Sequence, residues 1–269
     1  MDPRPIGVFD SGVGGLTVFQ ALEGSLPGES LVYLGDTARV PYGSKSAETV
    51  VRYGVEAARF LRTRRVKMLV VACNTASSLA LDAIAREADV PVLGVILPGA
   101  RRAAELSRSG QIGVIGTRGT IASGAYARAI HDRRPEARVV SHPCPLFVPL
   151  AEEGWTDNEV AGRVAEMYLA PLRRAEVDTL VLGCTHYPLL KETIGRVMGP
   201  SVELVDSAGS VAAEAAEWLA RHPDLAAPKE NAEKDRHHFF VTDAPGPFVE
   251  VAERFLGHPI GRLERIEFR

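Results

Sequence analysis

Two cysteines of this sequence each follow a short apolar run and precede polar residues. Cys73 lies in LVVACNTAS, residues 69–77, and Cys184 lies in LVLGCTHYPLL, residues 180–190. Unbroken runs of Leu and Val are typical of strands that are covered on both faces of a parallel sheet. Residues at the carboxyl ends of such strands line the ligand sites of open α/β sheets. The pattern therefore predicts two thiols at ligand-binding strand ends.

A cysteine between a strand and a helix lies near the free N–H groups of the helix. These groups stabilise a thiolate, so we expect each thiol to have a pKa below its ordinary value of about 8.5. Two such thiols on opposite sides of a small molecule can invert a carbon centre. One removes a proton from one face, and the other delivers a proton to the opposite face. This chemistry requires neither a cofactor nor a metal ion.

Further polar residues at the two strand ends can support such a reaction. Asn74, Thr75 and Thr185 are the expected hydrogen-bond donors to a carboxylate beside the reacting carbon. We expect His186 to assist Cys184 and Asp10 to assist Cys73. The alternatives are structural roles, with Asp10 as a helix N-cap and His186 as a packed side chain.

The segment DSGVGGLTV, residues 10–18, is rich in glycine and precedes a predicted helix. It does not fit a dinucleotide fingerprint, because the position of the third glycine is taken by Thr17. A glycine-rich turn that opens a helix can still offer backbone N–H groups to a carboxylate.

The elements that hold these residues occur in two similar sets. IGVFDSG at residues 6–12 resembles IGVIGTR at 112–118, and LVYLGDT at 31–37 corresponds to RVVSHPC at 138–144. Alternating strands and helices indicate parallel sheets. We therefore predict an α/β fold of two similar α/β domains with mostly parallel sheets flanked by helices, and an active site in the cleft between them. The first domain spans residues 1–97 and is completed by 210–269, and the second spans 98–209.

The predicted elements follow from hydrophobic periodicity and turn residues. The predicted strands are 5–9, 31–35, 66–72, 92–96, 111–115, 138–142, 178–183 and 237–242. The predicted helices are 14–24, 46–62, 75–87, 98–108, 119–131, 157–173, 188–197, 207–221 and 246–256. The polar stretch 223–235 is predicted to be an exposed loop.

Composition excludes several classes of protein. The net charge of −3 gives no electrostatic support for nucleic-acid binding. No apolar stretch is long enough to span a membrane, and no signal-peptide pattern is present, so we expect a soluble, cytoplasmic protein without membrane partners. Three widely spaced cysteines do not form a disulfide framework, and the third, Cys144, is expected to be buried packing.

Five ordered motifs resemble the glutamate racemases, a branch of the cofactor-independent aspartate/glutamate racemase family. The motifs are DSGVGG, GDTARVPYG, ACNTAS, CPLFVPLAEEG and LGCTHYPLL. The resemblance runs from about residue 6 to 210, and VTDAPGPFVEVAERFLG is similar to the family's closing strand and helix. It implies catalytic roles for Cys73, Cys184, Asp10, His186 and Glu152, and substrate contacts for Asp10, Ser11, Pro41, Tyr42, Gly43, Asn74, Thr75, Thr117, Thr120, Thr185 and His186.

The resemblance also implies an activity. Family members interconvert L- and D-glutamate without a cofactor or metal, and by this likeness Cys73 takes the proton from D-glutamate and Cys184 from L-glutamate. D-Glutamate supplied in this way enters peptidoglycan, which implies a role in bacterial cell-wall biogenesis and cell shape. We also expect a homodimer. Some relatives carry an N-terminal extension tied to activation by a cell-wall precursor, and we do not expect that activation here.

Three other activities compete with this interpretation. A related racemase acting on aspartate differs only in cleft geometry. A cysteine hydrolase using Cys184 and His186 requires one essential cysteine rather than two. A non-catalytic amino-acid binding protein has no need of reactive thiols. A zinc site is the least favoured interpretation, because the sequence contains no C-x-x-C pair.

Overall fold

The computed structural model describes residues 1–227 and 236–268. Within these ranges the predicted α/β fold is confirmed: two sheets of parallel strands are flanked by helices. Of the predicted loop 223–235, residues 223–227 contain neither helix nor strand, and the remainder lies outside the described residues.

The chain begins with strands and helices of the first sheet. In order these are β1 (Ile6–Asp10), α1 (Leu16–Ser25), β2 (Leu31–Gly35), α2 (Ala47–Thr63), β3 (Met68–Val71), α3 (Asn74–Leu79), α4 (Leu81–Ala88) and β4 (Val92–Gly94). Two short 3-10 turns, Thr37–Arg39 and Tyr42–Ser44, lie between β2 and α2.

The next elements build the second sheet, and the last return to the first. The middle of the chain forms α5 (Ile96–Leu106), β5 (Gln111–Gly116), α6 (Arg118–Ser123), α7 (Ala125–Arg133), β6 (Arg138–Pro143), α8 (Phe147–Glu152), α9 (Glu159–Arg174), β7 (Thr179–Gly183), α10 (Lys191–Met198) and β8 (Glu203–Asp206). The closing elements are α11 (Ser207–Arg221), β9 (His238–Val241), α12 (Pro245–Leu256) and β10 (Arg262–Arg265).

The two sheets share one strand order. The first runs β10-β9-β2-β1-β3-β4, and the second runs β6-β5-β7-β8. The order β2-β1-β3-β4 therefore matches β6-β5-β7-β8 strand for strand, and every pair is parallel. Cys73 follows β3 and Cys184 follows β7, so the two cysteines occupy equivalent positions at the carboxyl ends of central strands.

The central strands are mostly apolar and fully buried, since helices cover both faces of the sheets. Every residue of β1, β2, β3 and β7 is buried. This burial explains why their sequences show continuous rather than alternating apolar residues. The edge strands β8 and β10 contain exposed charged residues, and neither was predicted from the sequence.

Several helix boundaries differ from the predictions. The predicted strand 92–96 ends at Gly94, and α5 already begins at Ile96 rather than at residue 98. The predicted helix 119–131 is two helices, because Gly124 adopts φ 65°, a left-handed conformation that favours glycine. The predicted helix 75–87 is likewise divided, at Ala80.

We propose the domain boundaries that the sequence predicts: residues 1–97 with 210–269, and residues 98–209. Strand membership supports this division, because β1 to β4, β9 and β10 form one sheet and β5 to β8 form the other.

The described residues also show the state of the cysteines and whether a membrane-spanning helix or a metal-binding cluster is present. Cys73, Cys144 and Cys184 are all buried and free. No helix within residues 1–227 and 236–268 is long and apolar enough to cross a lipid bilayer. The same residues contain no cluster of three or more His, Cys, Asp or Glu side chains that could hold a metal ion.

Candidate active site

One narrow cavity lies between the carboxyl ends of the two sheets and contains both predicted thiols. Most of the predicted site residues line it. They are Ser11, Pro41, Tyr42, Gly43, Cys73, Asn74, Thr75, Thr117, Glu152, Cys184, Thr185 and His186. The cavity is therefore built by loops that follow strands of both sheets.

Cys73 caps the helix that follows it. The Ala76 N–H donates to Cys73 Sγ over 3.4 Å, and Cys73 Sγ donates to Ser11 Oγ over 3.4 Å. The thiol is 5% exposed, on the wall of the cavity. The turn after β1 and the start of α3 thus hold the sulfur from two sides.

The prediction that Cys73 has a lowered pKa is wrong for this structure. Burial and the negative charge of Asp10 raise the pKa of Cys73 to about 12. The hydrogen bonds with Ser11 and the Ala76 N–H act in the lowering direction but are outweighed. Cys73 is therefore a neutral thiol at neutral pH, which suits a group that donates a proton.

Cys184 lies beside a histidine that is itself held by a glutamate. His186 Nδ1 is 3.9 Å from Cys184 Sγ, and His186 Nε2 is 2.9 Å from Glu152 Oε1. The His186 ring also packs edge-on against Phe255, with ring centroids 5.4 Å apart. These contacts aim one ring nitrogen at the sulfur and the other at the carboxylate.

The same contacts decide the charge of His186. Burial alone lowers the pKa of the imidazole, but the hydrogen bonds with Cys184 and Glu152 and the negative charges of these groups raise it to about 10. His186 is therefore positively charged at neutral pH. A cation in this position stabilises negative charge that develops on Cys184 or on a bound anion.

Asp10 lies behind the cavity wall rather than on it. Its Oδ2 accepts from the Gly12 N–H over 2.9 Å, and its Oδ1 accepts from Thr185 Oγ1 over 3.5 Å. It is not the N-cap of α1, because that helix begins at Leu16 with Gly15 as its cap. Burial raises the pKa of Asp10, and the positive charge of His186 opposes this only in part.

Three threonine hydroxyls meet across the cavity. Thr75 Oγ1, in the first sheet's half, is 3.0 Å from Thr117 Oγ1 and 3.2 Å from Thr120 Oγ1. Thr117 also caps α6, since its Oγ1 accepts from the Thr120 N–H over 3.2 Å. Thr120 lies behind the other two and is not on the cavity wall. The hydroxyls of Thr75 and Thr117, which are on the wall, can exchange their threonine partners for a ligand oxygen.

Three wall residues were not found from the sequence: Gly12, Val40 and Val148. Gly12 and Val40 adjoin predicted residues in DSG and VPYG, so their motifs were a usable signal. Val148 lies on α8, a six-residue helix that contains Pro149 and gave too little periodicity to be predicted. Tyr42 was predicted as a substrate contact, but its hydroxyl donates to Asp36.

Replacing Glu152 by glutamine is expected to lower the pKa of His186, because it removes the negative charge at Nε2. In the unaltered protein the raised pKa stabilises the fold fully below about pH 6.5, the ordinary value, and this contribution is lost as the pH rises toward about 10. In Glu152→Gln the loss is expected to occur at lower pH. An NMR titration of the His186 ring protons measures the change.

Glu153→Gln is the matched control for this titration. Glu153 is the adjacent residue, carries the same charge and is exposed, whereas Glu152 bonds His186. We expect the His186 titration to be unchanged in Glu153→Gln. Equal changes in both variants would show that Glu152 acts only as a distant charge and not through the hydrogen bond.

Comparisons with known proteins agree with this geometry. A family model described as Asp/Glu/Hydantoin racemase matches residues 14–215. A glutamate racemase of Geobacter metallireducens is 58% identical over 98% of this chain and 96% of its own length. These matches span both sheets and both cysteines.

Solved structures agree with the same assignment. A glutamate racemase isoform of Bacillus anthracis superposes with a TM-score of 0.93 at 40% identity and covers 99% of this chain and 98% of its own. A glutamate racemase of Francisella tularensis in complex with D-glutamate gives a TM-score of 0.92 at 39% identity and covers 100% of this chain and 99% of its own. The chain therefore belongs to the Asp/Glu/Hydantoin racemase family.

Proposed function

We propose that this protein is a glutamate racemase, an isomerase that interconverts L- and D-glutamate by two-base proton transfer at the α-carbon without a cofactor. The single observation that carries the proposal is the placement of two thiols. Cys73 and Cys184 follow equivalent strands of two sheets with the same strand order, and both line one cavity. Inversion needs one proton-transfer group on each face of the α-carbon, and this symmetry supplies the pair.

The charges around the two thiols fit a reaction in which each cysteine is the base in one direction and the acid in the other. The raised pKa of Cys73 keeps it protonated at neutral pH, while the positively charged His186 lies 3.9 Å from Cys184 Sγ. We propose that Cys184 removes the proton of L-glutamate while Cys73 delivers one to the opposite face. In the reverse direction Cys73 takes the proton from D-glutamate. Asp10 and His186 would tune the proton affinities of the two sides.

The remaining walls of the cavity suit an amino acid with two carboxylates and an ammonium group. The hydroxyls of Ser11, Thr75, Thr117 and Thr185 and the amide of Asn74 can donate to carboxylates. Cys73 and Thr117, the N-caps of α3 and α6, both line the cavity, so the positive ends of these two helices lie near it and favour negative charge. Among the described residues on the wall, His186 alone carries a positive charge at neutral pH.

Racemisation of glutamate in D₂O is the direct test of the proposal. With L- or D-glutamate and no added cofactor, we expect loss of circular dichroism together with deuterium uptake at the α-carbon. With aspartate, which is one methylene shorter, we expect kcat/KM to be lower by about 10- to 200-fold. A higher kcat/KM for aspartate than for glutamate would assign the site to the aspartate branch. Unchanged chirality and no deuterium uptake with either substrate would exclude racemase activity.

The biological setting follows from the activity. We propose that the product D-glutamate is consumed in peptidoglycan synthesis, and that the protein works in the cytoplasm. Three buried free thiols are consistent with a reducing compartment.

We further propose a homodimer. Exposed apolar side chains on and around α9 support it, since Val160 and Met167 are seven residues apart on this helix and Met167 is 77% exposed. Light scattering on the purified protein measures the oligomeric state, and a strictly monomeric protein at all concentrations would contradict the proposal.

A further inference from the structure

Tyr126 is a buried tyrosine in the half of the molecule that is built on the second sheet. It contacts a cavity residue in the half that is built on the first sheet. It lies on α7 and is 2% exposed. Its hydroxyl donates to Asn74 Oδ1 over 2.7 Å. Asn74 is the residue directly after Cys73 and lines the cavity. Tyr126 could not be selected from the sequence, because it lies 52 residues from its partner.

The Asn74 amide is held at both ends. Besides accepting from Tyr126, it donates through Nδ2 to Ser207 Oγ over 3.3 Å. Neither Tyr126 nor Ser207 is on the cavity wall, and together they occupy the carbonyl oxygen and one of the two N–H bonds of Nδ2. The second N–H is left for the cavity. An amide turned the other way would present its oxygen to the carboxylates of a bound amino acid.

The ring of Tyr126 also supports the second thiol. A Cβ atom at Gly183 would lie 3.0 Å from Tyr126 Cε2, and one at Gly99 would lie 3.2 Å from Tyr126 Cε1. Gly183 directly precedes Cys184, so the ring packs against the backbone from which Cys184 projects. Burial raises the pKa of Tyr126, which keeps its hydroxyl a neutral donor. Tyr126 thus contacts Asn74, which follows Cys73, and Gly183, which precedes Cys184.

We propose that Tyr126 is a positioning residue: its hydroxyl fixes the Asn74 amide with an N–H directed at the substrate, and it does so across the interface between the two sheets. The proposal rests on the proposed racemase function and names how one donor of that site is oriented. Tyr126 is not on the cavity wall. Its effect on turnover passes through Asn74.

The variant Tyr126→Phe tests this by removing the hydroxyl while retaining the ring against Gly183. We expect kcat/KM for glutamate to fall about tenfold, mainly through a higher KM, because a donor to a charged group is lost. The fall must be the same for both enantiomers, since a variant cannot change their equilibrium. In an Asn74→Ala background, Tyr126→Phe is expected to cause no further fall. Independent, multiplying losses would overturn the proposal.

Tyr168→Phe is the matched control. Its hydroxyl also has a hydrogen bond, accepting from the Leu146 N–H over 3.3 Å, but it lies on α9 and not on the cavity wall. We expect its kinetic constants to match those of the unaltered protein. A tenfold fall in Tyr168→Phe would mean that loss of any tyrosine hydroxyl impairs the fold, and would overturn the assignment to Asn74.

A second readout does not depend on turnover. In protein labelled with ¹⁵N-asparagine, the side-chain amide signals of Asn74 are identified by their absence from Asn74→Ala. We expect them to shift in Tyr126→Phe and to stay in place in Tyr168→Phe. Unchanged signals in Tyr126→Phe would overturn the positioning role even in an active enzyme. Shifted signals in a protein that racemises no glutamate would leave the positioning intact and reject the proposed function instead.

Discussion

Replacing Cys73 or Cys184 by serine is expected to reduce glutamate racemisation by about 10²- to 10⁴-fold in each single variant. A serine hydroxyl nearly matches the thiol in size and can retain the contacts of Cys73 with Ser11 and the Ala76 N–H. It is far less acidic than a thiol, so it does not form the base. Both variants are expected to fold, because the change removes chemistry rather than packing.

The deuterium pattern of these variants tests the assignment of faces. Cys73→Ser retains the base for L-glutamate, so residual uptake of deuterium is expected in L-glutamate alone. Cys184→Ser retains the base for D-glutamate, and its residual uptake is expected in D-glutamate alone. Mass spectrometry of the recovered enantiomers measures both. The reverse pattern would exchange the proposed roles of the two thiols.

Cys144→Ser is the control for loss of a buried thiol. Cys144 is fully buried, and its Sγ donates to the His142 carbonyl over 3.7 Å, a bond that a serine hydroxyl can also make. We expect racemisation close to that of the unaltered protein. Racemisation that is retained in Cys73→Ser but lost in Cys184→Ser would contradict the two-thiol proposal. Cys184 would then be the one essential cysteine, which is the pattern expected of a single nucleophile in a cysteine hydrolase using Cys184 and His186.

Replacing Gly14 by alanine is expected to lower racemisation by about 100-fold, the effect of displacing a catalytic group by about 1 Å. A Cβ atom at Gly14 would lie 2.4 Å from both His186 Nδ1 and Thr185 Oγ1. His186 cannot turn aside freely, because Nε2 is bonded to Glu152. The ring must move, and its contact with Cys184 is lost with it.

Gly24→Ala is the matched control in the same segment of the chain. Gly24 lies in α1, and a Cβ atom there would meet nothing within 4 Å. Alanine is favoured over glycine in a helix, so we expect unchanged activity and a free energy of unfolding higher by up to about 1 kcal/mol. Steady-state rates and denaturant unfolding measure both variants. Wild-type activity in Gly14→Ala would show that the two halves separate enough to admit the methyl group.

The Gly14 contact also explains the glycine-rich turn. From the sequence, DSGVGG was predicted to present backbone N–H groups to a carboxylate, and a nucleotide site was the weaker alternative. In the structure Gly14 allows His186 and Thr185 of the opposite half to approach the start of α1. Gly15 leaves room for Asp10 of its own half, whose Cβ would lie 2.4 Å from an added Cβ. The absence of a side chain at Gly14 therefore serves close approach between the two halves, and its absence at Gly15 serves packing of α1 against the end of β1.

The fold class and the pair of thiols could be predicted because they depend on local patterns. Each central strand is an unbroken apolar run, and each run stops at a cysteine followed by a helix-starting sequence such as NTASS. Equivalent patterns in the two halves gave equivalent strands, β3 and β7, in sheets of the same order. The carboxyl ends of parallel strands lie on one edge, so the sequence alone determined that the two cysteines belong to ligand-binding edges.

The surroundings of the two cysteines depend on the tertiary structure. The Ala76 N–H, which is near Cys73 in sequence, acts to lower the pKa of Cys73, but burial and the charge of Asp10 raise it, and burial is a property of the packed molecule. The link of His186 to Glu152 joins residues 34 positions apart, and that of Tyr126 to Asn74 joins residues 52 apart. Proton affinity and side-chain orientation depend on distances of a few ångströms between segments far apart in the chain. Sequence periodicity does not give these distances, so these properties could be read only from the packed structure of the two sheets.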